Sequence, residues 1–206
     1  MNKLLFTILL SLQFFMSRAQ TGVYKTYEDF VSGHIIPMKK VDHIKTPRAA
    51  KTMITFVDSA DHKITFTGNQ VWGCIIKGQL FRGELKAFSV VQDTGKLCFY
   101  ENGIIELRRL TGDKRGETMY DLGFYSISAG LNGKLYDSFE KFFKANPGYI
   151  GLKDCMKKNA VTPRFVTSIK SNHNTSNRFD PNDNVFDYYE TVKVWRKCIA
   201  EFNANQ

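Results

Sequence analysis

An α+β fold is predicted for this chain: an antiparallel β meander followed by C-terminal helices packing on it. Two patterns carry that prediction. From Thr52 to about Tyr136, short runs of alternating residues are divided by turn-forming dipeptides, the mark of a meander with one buried face. From Val185 to Phe202 the period changes: Tyr189, Val192, Trp195 or Arg196, and Ile199 recur every three or four residues, as on a helix with one apolar stripe.

Residues 1–19 read differently from both. Lys3 gives a short basic start, Leu4 to Met16 is apolar apart from Thr7, Ser11 and Gln13, and Ser17-Arg18-Ala19 follows. This is the order of parts in a secretory signal peptide. The apolar run is too short for a bilayer core, which needs roughly 20 residues, and the small Ser17 and Ala19 suit a signal peptidase. Cleavage is expected after Ala19, with no cysteine at the cut to carry a lipid and no later transmembrane segment. The expected product is a single exported domain over 20–206, periplasmic or secreted. Its parts are an N-terminal helix and basic connector (20–51), the meander (52–136) and a helical part (137–206).

Charge narrows the partners. The export segment takes Lys3 and Arg18 and no acid with it, so the formal charge falls from +9 to +7. Much of the excess lies in the connector, where Lys39, Lys40, Lys45, Arg48 and Lys51 face only Asp42; these five are the candidate anion contacts. For an exported protein that means anionic envelope glycan or lipid, or another exported protein, and not nucleic acid. Cys74, Cys98, Cys155 and Cys198 lack the close spacing of a zinc or redox motif, and four cysteines allow three pairings. Cys155 with Cys198 is the preferred bridge, since both fall in the helical part while the other two fall in strands.

Along the chain, Thr26 caps a short helix through Phe30 that Gly33 ends, with Glu28 and Asp29 in its first turn. Pro37 and Pro47 bias the connector away from regular structure. A hairpin turns at Asp58 to Asp61 between Met53–Val57 and Ile64–Phe66. Lys77-Gly78 joins Val71–Ile76 to Leu80–Arg82, and Gly95 joins Leu85–Val91 to Leu97–Tyr100. Asn102-Gly103 predicts a two-residue hairpin into a strand over Ile104 to Leu110. Further strands are expected from Met119 to Ser128 and over Lys134 to Tyr136. About seven to nine short strands suggest a strongly twisted sheet or half-barrel. Asp137 and Glu140 form a capping box for a helix with Phe139, Phe142 and Phe143, stopped at Asn146-Pro147-Gly148. A helix from about Tyr149 to Lys158 comes next, then a polar loop over Ser171 to Asp183, then the last helix.

Few residues suggest catalysis. Asp180 to Asn184 opens like a calcium loop, but Val185 and Thr191 stand where glycine and glutamate belong. His34, His43, His62 and His173 show no metal-ligand spacing. Ser126 and Ser128 read as alternating strand residues, and Gly73, Gly78 and Gly83 do not make a phosphate loop. No cofactor is implied. Glu117 and Asp121 share a strand parity near Glu84, Glu101 and Glu106, the weakest of the candidates, a glycan hydrolase with paired carboxylates. A curved sheet lined by Trp72, Phe81, Phe88 and Phe99 is the alternative, a protein that binds an apolar small molecule. Asn174-Thr175-Ser176 marks a surface loop.

Taken in order, Ala19-Gln20, Gly22-Val23-Tyr24, Tyr27 to Phe30, Trp72-Gly73, Lys77-Gly78, Phe81-Arg82 and Gly95 to Glu101 resemble a group of uncharacterised signal-peptide-bearing exported proteins of Gram-negative bacteria. The resemblance implies export and a single domain and carries over no activity. The leading expectation is an exported, non-enzymatic interaction or envelope-associated module. Sequencing the N-terminus of the exported protein should find Gln20; an intact Met1 would overturn the export reading.

Overall fold

The computed structural model describes residues 20–45, 52–84, 87–112, 125–159 and 181–205, with the backbone alone at 102, 104, 105, 108 and 181–189. Residues 1–19, expected to direct export, Arg48, Lys51, Glu117, Asp121, His173, the Asn174 sequon and the strand start at Met119 lie outside these residues. The strands are β1 (Gly22–Tyr24), β2 (Ile36–Pro37), β3 (Lys40–Lys45), β4 (Met53–Val57), β5 (Lys63–Thr67), β6 (Gly73–Ile76), β7 (Gln79–Gly83), β8 (Phe88–Asp93), β9 (Leu97–Asn102) and β10 (Tyr125–Ala129). The helices are α1 (Tyr27–Ser32), α2 (Gly103–Thr111), α3 (Phe139–Ala145), α4 (Ile150–Lys158) and α5 (Pro181–Ala204). A seven-stranded sheet runs β10-β9-β8-β7-β6-β1-β2, and a three-stranded sheet runs β3-β4-β5. The fold is α+β, and neither sheet closes into a barrel.

The chain divides into two compact units, Met1–Val90 with Glu106–Arg115 and Val91–Ile105 with Gly116–Gln206. In the first, local chemistry sets each turn. Thr26 and Asp29 exchange side-chain to backbone bonds of 2.9 and 3.1 Å, and Gly33 closes α1 at φ 74°. Lys77 and Gly78 both take positive φ (50° and 84°), as a two-residue hairpin between β6 and β7 requires. Asp58 accepts the Ala60 and His62 amides at 2.8 and 2.9 Å and turns β4 into β5. Ile54, Phe56, Phe81, Phe88 and Leu107 are fully buried in the core. Phe30 packs 4.6 Å from Trp72, and the Arg82 guanidinium lies 4.7 Å over the same indole.

In the second unit the helices pack on β9 and β10. Phe139 and Phe142 of α3, Leu152 and Met156 of α4, and Val192, Trp195 and Ile199 of α5 bury against Leu97, Phe99, Tyr125 and Ile127. The helical stripe therefore points Trp195 inward, while Arg196 pairs with Asp93 at 2.7 Å. Asn203 serves Leu97 as a strand neighbour would, accepting its amide at 3.0 Å and donating to its carbonyl at 2.9 Å. Cys155 of α4 and Cys198 of α5 are bridged.

Four local expectations are corrected. Asn102-Gly103 begins α2 and makes no hairpin, because Leu107 and Leu110 break the strand parity at a helical spacing of three. Arg109 pairs with Glu106 on the helix surface, and the Lys77 ammonium donates to the Leu110 carbonyl at 2.6 Å near its end. The connector holds β2 and β3, with Pro37 itself in β2, because Met38 and Ile44 find places in the core. The last predicted strand reduces to one bridge, Tyr136 to Ile127. The cap of α3 is Ser138, whose hydroxyl accepts the Lys141 amide, while Asp137 instead pairs with the Lys141 ammonium at 2.7 Å.

The bridge closes a sequence separation of 43 residues. By loop-closure entropy, replacing Cys155 and Cys198 with Ser should cost about 4 kcal/mol of unfolding free energy under oxidising conditions. Denaturant melts with and without reductant check this: reductant should lower the stability of the native protein and leave the double variant unchanged.

Candidate functional site

The outer face of the three-stranded sheet follows from the register of β4. Ile54 and Phe56 point into the core, so Met53, Thr55 and Val57 point to the opposite face, where Thr55 and Val57 are themselves buried. Three rows result: Lys40 and Lys63 flank Val57, His43 and Thr65 flank Thr55, and Lys45 and Thr67 flank Met53. Strict alternation along β3 would send His43 inward with Val41. A register shift between Val41 and His43 inserts Asp42 as an extra residue and turns the imidazole outward.

The extra residue also sets the electrostatics. His43 Nδ1 donates to Asp42 Oδ2 at 2.9 Å, and the Lys63 ammonium reaches the same oxygen at 3.0 Å from across β4. The hydrogen bond from His43, then that from Lys63, holds the Asp42 carboxyl below its ordinary range. His43 Nε2 lies 3.4 Å from the Thr55 hydroxyl, which is 2.8 Å from that of Thr65. Carboxylate, imidazole and hydroxyl thus follow the order of an acyl-transfer triad. Thr55 is only 4% exposed, however, and offers a substrate no access.

Of the five expected anion contacts, the structure places Lys40 and Lys45 on this face. Both are exposed, and among the described residues neither has an acidic partner. Lys39 lies just before β3 and is neutralised by Asp61 at 2.7 Å. Lys63 and Thr65 were missed by sequence reasoning, because only strand pairing brings them beside β3. The cationic segment is thereby diluted: the fold sets Asp61 against Lys39, while Asp42, the one acid within the run, pairs with His43 and with Lys63 from β5.

The remaining candidates scatter. Phe81 and Phe88 are wholly buried in the core of the first unit, where Trp72 packs with the α1 aromatics, and Phe99 is buried in the core of the second. Glu106 is tied to Arg109. The backbone from Pro181 to Asn184 is helical, which places Asp183 and Asn184 in α5 and not in a calcium loop. Burial pushes the Cys74 and Cys98 thiols up, making neither a ready nucleophile. Among the described residues, no group of three or more His, Cys, Asp or Glu side chains could hold a metal ion, and no helix is long and apolar enough to cross a membrane.

A carboxylate in the second unit is shifted in the opposite direction to Asp42. Burial raises the Glu101 pKa, against the opposing pull of Arg196 and a 2.6 Å hydrogen bond from Gln92. No family model, curated protein or solved structure matches this chain.

Because the folded-state pKa of Glu101 is raised, its charge opposes folding above that pKa, and the penalty vanishes below the unfolded value of about 4.3. Glu101→Gln keeps the acceptor for Gln92 and removes the charge. It should be more stable than the native protein at pH 7 and lose that advantage by pH 4, which denaturant melts across pH will measure.

Proposed function

We propose that this protein is an exported, non-enzymatic interaction module that holds an anionic component of the cell envelope on the outer face of β3, β4 and β5. The observation that carries the reading is the exposure of Lys40 and Lys45 at the two ends of β3, without acidic partners among the described residues. Export is supported by the composition of residues 1–19 and by the Cys155–Cys198 bridge, which suits an oxidising compartment. A binding role, and not catalysis, fits the inaccessible Thr55 and the buried thiols. Lysines on an edge strand also guard it against pairing with other strands, and retention on an anionic matrix separates the two roles.

Each lysine near an anionic surface is worth roughly 1 kcal/mol. Replacing Lys40 and Lys45 together with Gln should therefore weaken low-salt retention on an anionic envelope fraction about thirty-fold, and added salt should weaken retention of the native protein. Lys39→Gln should have the smaller effect, since Asp61 already takes up its charge. Undiminished retention of the double variant would remove the proposal.

A further inference from the structure

The pattern of charge on the face says more than its sign. Lys40 and Lys45 stand about 13 Å apart along β3, the length of the four residue steps from Val57 to Met53 that they oppose. Between them lie the Asp42 carboxylate, the His43 imidazole and, across Thr55, the exposed Thr65 hydroxyl. The middle of the face therefore carries acceptors, one of them negative, and its ends carry cations. A dense sheet of negative charge, such as a lipid headgroup plane or a polyphosphate, would find no net attraction there, since the Asp42 carboxylate and the Lys63 ammonium 3.0 Å away offset each other. Nor does the face offer anything to insert into a bilayer: Val31, Ile36 and Ile150, the large hydrophobic side chains exposed among the described residues, all lie on other elements.

We infer that the occupant is an acidic polysaccharide, a chain whose carboxylate or sulfate groups are spaced by neutral, hydroxyl-rich stretches. Acidic groups bind at Lys40 and Lys45, while sugar hydroxyls donate to Asp42 and Thr65, as charge-assisted acceptors favour. His43 and Lys63 hold Asp42 in place for this and keep it ionised. The inference rests on the anion-contact reading of the same face.

Asp42→Asn separates this arrangement from a simple cationic patch because the two give opposite signs. The exported protein is titrated with polygalacturonate, with the same polymer after reduction of its carboxyls, and with phosphatidylglycerol vesicles. Polygalacturonate should bind, and the reduced polymer should not. Asp42→Asn adds one positive charge, yet should weaken polygalacturonate binding by about three- to ten-fold, the effect of losing one hydrogen bond. Thr65→Val keeps a β-branched strand residue and should weaken binding in the same direction; it serves as the second variant if Asp42→Asn unfolds. Tighter polygalacturonate binding by Asp42→Asn, or preference of the native protein for vesicles, would overturn the acidic-polysaccharide assignment while leaving the anion-contact reading intact. Failure of the Lys40 and Lys45 substitutions to weaken binding to either probe would overturn both.

Discussion

The register of β4 is the constraint on which the first unit and its outer face depend. Ile54 and Phe56 have no exposed surface. Burying side chains of that size is worth about 1.5 to 3 kcal/mol each, and a one-residue slip would send both to solvent. The strand is thus held in one phase, and its neighbours take their phase from it. Val41 and Ile44 of β3 join the same core although three residues apart, which plain alternation does not allow. The extra residue between Val41 and His43 reconciles the two. A packing requirement on the inner face thereby places Asp42 and His43 side by side on the outer one.

That arrangement gives the face its chemistry. Asp42 sits between His43 and the Lys63 ammonium, so it remains ionised in the middle of a basic region. Lys40 and Lys45 lie beyond its reach. What begins as a run of positive charge becomes a spaced pattern, cation, acceptor, cation, with different selectivity from a uniform patch of the same net charge.

The second unit is held by a different device. Trp195 meets Tyr125 at 4.7 Å and Phe139 at 5.2 Å between ring centroids, joining strand, short helix and long helix in one aromatic cluster. Asn203 and the Arg196–Asp93 pair fix the C-terminal part of α5 through polar contacts with β8, β9 and their turn. The bridge between Cys155 and Cys198 ties α4 to the same helix.

The legible features were those that a few adjacent residues decide. Thr26 with Asp29, Lys77-Gly78 and the Asp58 turn satisfy backbone groups within their own segments, so their geometry follows from residue type. The α5 stripe is legible in the same way for Val192 and Ile199, whereas its period leaves Trp195 or Arg196 between them, a choice decided by burial of Trp195 and by the pairing of Arg196 with Asp93. Asn102-Gly103 misled because a turn-prone dipeptide competes with the helical spacing of Leu107 and Leu110, and burial of Leu107 in a distant core settled the contest. Likewise the connector reads as irregular until Met38 and Ile44 find partners in other segments. By itself the sequence determined the α+β class, the turns at Asp58 and Lys77-Gly78, the Thr26 cap and the helical period of α5, all products of short-range sterics and hydrophobic period. Only the tertiary structure decided the face: which lysines remain unopposed, where Asp42 and His43 point, and that Lys63 and Thr65 stand beside them. Those relations depend on strand pairing and core burial between residues far apart in the chain, and no local pattern encodes them.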